Sequence, residues 1–208
     1  MTEAGLRERK KLRTRGALID SAFALFQRKG FEATTIDEIA NAVDVSPRTF
    51  FRYFASKEEV ALSLVDDQLA ALLDHFEHRP AAESVLEALR NAGMAVLRAC
   101  EAGEEGFDPL RFQCVQILMS SSPALAASAM EQGAARLAEM AKLIGARMGV
   151  DFQVDPRPYL VASITVCAVQ TAINAWRKTE PEARSSDLVD RAFRLLADGI
   201  DYPSALSV

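Results

Sequence analysis

The sequence predicts an all-α fold of about nine helices. Three observations carry this. Apolar residues recur at helical spacing in nearly every segment. Gly and Pro are few, 10 and 8 among 208 residues, and fall between those segments. No stretch alternates with the two-residue period of a strand.

Residues 12–29 place Ile19, Phe23 and Phe26 on one face, and Gly30 follows as a C-terminal stop. Thr35-Ile36-Asp37-Glu38 reads as a capping box that opens a short helix to about Val43. Ser46 is the next N-cap, with Pro47 at the first helical position, where no amide bond is lost. Ser56-Lys57-Glu58-Glu59 is a second box, opening a long helix through about His78 with Val65, Leu69, Leu72 and Phe76 in line. Further helices are expected near 82–101, 109–120, 124–148, 157–178 and 185–200. Gly103 and Gly106, Pro123, the stretch from Asp151 to Pro158, and Pro181 separate them. The motifs divide the chain at 1–56 and 57–208, with the 57–78 helix shared rather than replaced by a flexible linker.

Half the residues are apolar and a quarter charged, enough to bury a core. Cys100, Cys114 and Cys167 are scattered, without a CxxC pair, so a disulfide framework or structural zinc is not expected and a reducing cytoplasm is. His75 and His78 lack a completing ligand cluster and read as surface residues ending a helix; no metal or cofactor is expected. No signal-peptide stretch precedes Leu18. Pro158 to Trp176 is uncharged and nearly long enough to span a bilayer, but it contains Ser163, Thr165, Gln170, Thr171 and Asn174. A helix buried on both sides in a soluble assembly is expected, with no membrane partner.

Net charge is −5, yet its distribution is uneven. Residues 1–60 hold 11 Lys and Arg against 9 Asp and Glu, whereas the remainder holds 13 against 20. The first fifteen residues carry six bases, Arg13 and Arg15 among them, against two acids. A polyanion-facing head on an acidic body is implied.

The stretch TTIDEIANAVDVSPRTFFRYFASK, from Thr34 to Lys57, encodes a short helix, a tight turn at Asp44-Val45 and a second helix of about seven residues. This is the helix-turn-helix pattern, whose second helix enters the major groove of double-stranded DNA. Ile36, Ile39, Ala40, Val43, Val45, Phe50 and Phe54 face inward. Arg48, Thr49, Phe51, Arg52 and Tyr53 then point outward. Arg forks to guanine or phosphate, Thr bonds either, and Tyr bonds phosphate. Lys57 and the helix starts at Ser46-Pro47, Ser56 and Thr35 offer phosphate sites. A purely structural three-helix element with solvated charges would share the local pattern; the basic arm favours DNA.

Residues 13–65 resemble the DNA-binding head of the TetR (tetracycline-repressor-like) family of bacterial regulators. The resemblance rests on Gly30-Phe31, Thr35 with Ile39-Ala40, Val45-Ser46, Thr49 with Tyr53-Phe54, and Ser56-Lys57-Glu58. Two positions depart from the family pattern. Asp44 stands where the turn usually has Gly, and Phe51 where a phosphate-bonding Tyr is frequent, so Phe51 is expected to meet a thymine methyl.

The resemblance implies a homodimer, a small-molecule effector and repression from an inverted-repeat operator. For the dimer, Leu160, Ile164, Ala168, Thr171 and Ala175 line one side of the 157–178 helix, and Leu188, Ala192 and Leu195 a stripe on the last helix. For the effector pocket, Leu72, Phe76, Met94, Leu97, Phe112, Val115 and Met119 are apolar candidates, with Arg111 and Gln116 among few polar neighbours. A mostly apolar ligand is expected. The segment from Arg111 to Leu125 resembles actinobacterial members that sense fatty-acyl thioesters. Two other classes fit parts of the sequence: a helical lipid carrier using its basic arm at a membrane surface, and an enzyme with dispersed residues. The sequence has no GxSxG, phosphate loop, HExxH or Rossmann glycine pattern. The Ser46–Tyr53 helix serves only DNA.

Overall fold

The computed structural model describes residues 3–104, 106–176 and 178–199. Among them are nine α-helices, one π-helical segment and no strand. The helices are α1 (Glu3–Lys29), α2 (Ile36–Asn41), α3 (Pro47–Phe50), α4 (Lys57–Glu77), α5 (Val85–Ala102), α6 (Pro109–Ser121), α7 (Pro123–Met148), α8 (Arg157–Thr171) and α9 (Ser185–Asp198). The all-α class expected from periodicity is the class observed.

Several boundaries differ from expectation, three of them instructive here. α1 begins at Glu3, so the basic arm is helical rather than a tail before the helix. No proline interrupts residues 3–29, and strongly charged residues of high helix propensity propagate the helix. α5 starts at Val85 because Ser84 and Glu87 form a reciprocal cap: Glu87 N donates to Ser84 Oγ at 3.2 Å and Ser84 N to Glu87 Oε2 at 2.9 Å. α8 ends its α-helical ladder at Thr171 and continues as a π turn, Ala172–Trp176.

Compactness also divides the chain differently from the motifs. The first unit joins the described residues up to Asp67 to Asp108–Gln132, so it includes α6 and the beginning of α7. The second joins Gln68–Phe107 to the described residues from Gly133 onward. The boundary at 56/57 follows the motifs, whereas the compact units follow packing, and nothing in the periodicity of α6 says which core receives it.

In the first unit, α1 packs on α2 and α6, and α2 on α3. Leu18, Phe23 and Phe26 of α1 meet Phe31, Ile39, Phe50 and Phe54, closed by Val60 and Leu62 of α4 and Val115 and Leu118 of α6. Phe26 and Phe31 lie 4.9 Å apart between ring centres. Each buried aromatic contributes roughly 1.5–3 kcal/mol. Polar ties fix α6: Arg111 Nη2 pairs with Asp20 Oδ1 at 2.6 Å, and Ser122 Oγ donates to Glu32 Oε1 at 2.7 Å.

In the second unit, α5 packs on α9, and α8 and the π turn on α9. Phe76, Leu89, Met94, Ile144, Leu188 and Phe193 form its core. Glu101 caps α9, accepting from Ser186 N at 2.9 Å and Ser186 Oγ at 2.7 Å. A carboxylate there also suits the positive end of the helix dipole. One stretch, Arg157–Ala175, is long and apolar enough by length and composition to cross a membrane, and 22% of it is buried within the single chain.

Candidate nucleic-acid interface

Local chemistry builds this site. Thr35 caps α2: Glu38 N donates to Thr35 Oγ1 at 3.3 Å, and Thr35 N and Oγ1 donate to Glu38 Oε2 at 2.9 and 2.8 Å. Glu38 also pairs with Lys29 at the end of α1. The Lys29 hydrogen bond, then the Thr35 backbone and hydroxyl, hold the Glu38 carboxyl down to about 2 from 4.5. One carboxylate thereby joins the end of α1 to the start of α2.

The turn closes with Val45 N donating to Ala40 O at 3.1 Å. Asp44 adopts φ 54°, the left-handed region usually occupied by Gly, which Asp tolerates better than most residues. Ser46 caps α3, accepting from Thr49 N at 3.2 Å, with Pro47 in the first turn. α3 is shorter than the seven residues expected. After Phe50 the chain tightens, with Tyr53 N donating to Phe50 O at 2.8 Å.

α3 rests on Phe50 and Phe54, 0% and 2% exposed. Arg48, Phe51 and Arg52 are exposed, as inward anchoring of Phe50 requires, and Phe51 is 55% exposed. Thr49 and Pro47 are half-buried, and Thr49 Oγ1 lies 3.1 Å from Ser46 Oγ. Arg52 folds over the Tyr53 ring at 5.2 Å and its Nη2 donates to the Tyr53 hydroxyl at 3.3 Å. Desolvation pushes the Tyr53 hydroxyl up, but hydrogen bonds from Arg52 and Thr14 and the charges of Arg52 and Lys11 outweigh it, lowering its pKa.

Sequence reasoning counted Lys11 only among the bases of the arm and missed Thr14; α1 brings both beside Tyr53. The signal was the unbroken helical composition before residue 12. Arg13 is exposed. Arg15 is half-buried, its guanidinium 5.1 Å from the centre of the Phe54 ring, so it supports α3 as well as adding charge.

Lys57 is engaged within the chain. Its Nζ donates to the carbonyl oxygens of Phe31, Thr34 and Glu32 at 2.8, 3.1 and 3.3 Å. An ammonium has three N–H groups, and all three have acceptors within the chain. A phosphate would have to compete with these three carbonyls for the Lys57 ammonium. The start of α4 is likewise capped, with Glu59 N donating to Ser56 Oγ at 3.2 Å.

The expected effector residues fall in both units. Leu72, Phe76, Met94 and Leu97 line the second core. Val115 and Met119 pack with the core beneath the helix-turn-helix, in the unit that also holds half-buried Gln116 and buried Phe112. Arg111 is engaged by Asp20 and Asp108, which weakens its case as a ligand contact.

The expected dimer residues also divide. Leu160, Ile164 and Leu195 are 58%, 36% and 42% exposed, Thr171 and Ala175 are exposed, and Ala168 is half-buried. Leu188 and Ala192 are a correction, being 0% and 8% exposed within the chain's own core. A stripe of apolar residues does not reveal which neighbour it meets, and here α9 packs on α5, α8 and the π turn of its own chain.

Residues 18–64 match the family model described as bacterial regulatory proteins, tetR family. Residues 83–201 match that of the MftR C-terminal domain. The chain is 40% identical over 173 residues to the HTH-type transcriptional regulator TcmR of Streptomyces glaucescens, covering 83% of this chain and 76% of that protein. It is 28% identical over 196 residues to the putative mycofactocin biosynthesis transcriptional regulator MftR of Mycobacterium tuberculosis, covering 93% and 94%. Among solved structures, the Thermus thermophilus FadR repressor, crystallised with lauroyl-CoA, shares the fold at a TM-score of 0.56 and 23% identity over 93% of this chain and 98% of that one. The capped two-helix motif and these relatives together establish that the chain belongs to the TetR family of transcriptional regulators.

Proposed function

We propose that this regulator is a cytoplasmic repressor that binds an inverted-repeat operator as a homodimer and releases it on binding a fatty-acyl thioester. Residues 1–56 meet DNA and residues 57–208 hold the effector and the partner copy. The observation that carries the reading is α3 and the turn that follows it, where Arg48, Phe51 and Arg52 are exposed around a fully buried Phe50. Arg13 and the other bases of α1 supply nearby positive charge for phosphates.

A single α3 makes few base contacts. Two copies on a two-fold axis double them, with recognition helices roughly 34–36 Å apart on one DNA turn. The exposed face of α8 suits such a partner. The acyl class is supported by the apolar character of Leu72, Phe76, Met94 and Leu97, and by the lauroyl-CoA in the Thermus FadR structure. α4 and α7 each contribute residues to both compact units, giving the effector a continuous route to the head. It shifts the equilibrium only by its preference for the released state.

The test is fluorescence anisotropy on duplexes from the DNA adjoining the protein's own gene, against random duplexes, at fixed salt. The expected result is selective binding of an inverted repeat, lost on adding lauroyl-CoA. Equal binding to all duplexes overturns the operator reading, and a complex indifferent to lauroyl-CoA overturns the acyl effector.

A further inference from the structure

Two polar atoms of the second unit, Gln68 Nε2 and Thr165 Oγ1, lie buried with no hydrogen-bond partner. Thr165 is 4% exposed and stands midway along α8. Burying an amide or hydroxyl unpaired is costly, and folded chains leave few such groups without a reason. A helical threonine has a ready acceptor in the carbonyl one turn back, yet Thr165 makes no such bond. Gln68 opens the part of α4 that belongs to this unit. The next inward residues, Leu69 and Leu72, pack against the same apolar core to which Ala162 and Ala172 contribute from either side of Thr165. Each of the two helices thus carries one buried, unpaired donor within the second unit.

We propose that Gln68 and Thr165 are the polar recognition groups of the effector site and that they select the carbonyl oxygen of an apolar acyl chain. This rests on the effector reading above and adds which residues select and what they select. A carbonyl oxygen accepts two hydrogen bonds, and the two side chains offer one amide and one hydroxyl donor. Neither carries charge, so a buried carboxylate would lack a counter-ion, whereas a neutral thioester carbonyl needs none. The unliganded protein keeps these atoms unpaired, trading stability for selectivity.

The experiment compares lauroyl-CoA with S-dodecyl-CoA, the thioether that lacks the carbonyl. Affinities are measured by calorimetry on the full chain, its Gln68→Leu, Thr165→Val and Thr165→Ser variants, together with unliganded melting temperatures. Wild type is expected to prefer the thioester by about tenfold or more, the cost of leaving buried donors unpaired. Gln68→Leu and Thr165→Val should erase that preference, keep the thioether affinity and melt higher. Thr165→Ser should retain the preference. Variants that keep the preference, or that melt lower and lose thioether affinity equally, overturn the assignment and mark both residues as structural. Wild type binding both compounds alike overturns the carbonyl assignment alone. Wild type binding neither overturns the acyl effector reading and this inference with it.

Discussion

The Lys57 ammonium donates to the Phe31 carbonyl oxygen at 2.8 Å and sits 4.5 Å from the centre of the Phe31 ring. The start of α4 is thereby locked onto the turn that leaves α1, and Phe31 itself is 3% exposed in the head's core. Charged hydrogen bonds and a cation–ring contact together give an expected loss of about 2 kcal/mol for Lys57→Ala. The melting temperature should fall. The salt dependence of DNA binding, measured by anisotropy at several ionic strengths, should keep its slope, because no phosphate contact is removed. A slope reduced by about one unit with unchanged melting would return Lys57 to the phosphate set.

Glu38 makes the stability of the head acid-sensitive. Its folded pKa of about 2 lies below the ordinary 4.5, chiefly through Lys29. A depressed carboxylate stabilises above its unfolded pKa, and that stability is lost as pH falls through the folded value. Wild type should therefore melt above Glu38→Gln at pH 7, with the gap narrowing from about pH 4.5 toward pH 2. Paired thermal melts across that window check it, and a gap independent of pH would refute the charge assignment.

Arg48 is exposed in the first turn of α3, where recognition helices place side chains against base edges. Arg48→Ala is expected to cost roughly 1–3 kcal/mol on the operator and little on random duplex. Arg52 differs, since its guanidinium is stacked on Tyr53. Its removal should weaken both duplexes and raise the Tyr53 pKa, which ultraviolet titration reads. Equal loss on both duplexes for Arg48→Ala would confine Arg48 to phosphate.

Local chemistry was the part most legible in the sequence. The Thr35–Glu38 box, the Ser46 cap and the inward Phe50 and Phe54 all follow from short-range spacing, and each is present. What spacing does not encode is the identity of the neighbour. Lys57 resembled a free cation because its acceptors lie more than twenty residues away in sequence, at Phe31, Glu32 and Thr34. Leu188 resembled a partner contact because an apolar stripe is the same whether it meets its own chain's core or a second chain. α6 joins the first unit through Val115 and Leu118 in its core and through Arg111 reaching Asp20, a pairing across 91 residues.

The exposed apolar face of α8 gives the dimer prediction its sharpest form. Leu160 is 58% exposed, whereas Ala168 is half-buried and packs against the second core. A charge at Ala168 would strain the fold as well as any interface, so Leu160→Glu is the cleaner probe. Within one chain an exposed glutamate on a helix costs little. Across a two-fold axis it places an unpaired charge in an apolar contact, and symmetry repeats the fault in both copies. Leu160→Glu should therefore retain its helical circular dichroism and melting temperature at low concentration. Light scattering should report a monomer, and operator affinity should fall by about a hundredfold or more, since a single α3 lacks the second set of contacts. A variant that remains dimeric and binds operator like wild type would remove α8 from the interface. A wild-type monomer binding one half-site tightly would remove the dimer from the mechanism altogether.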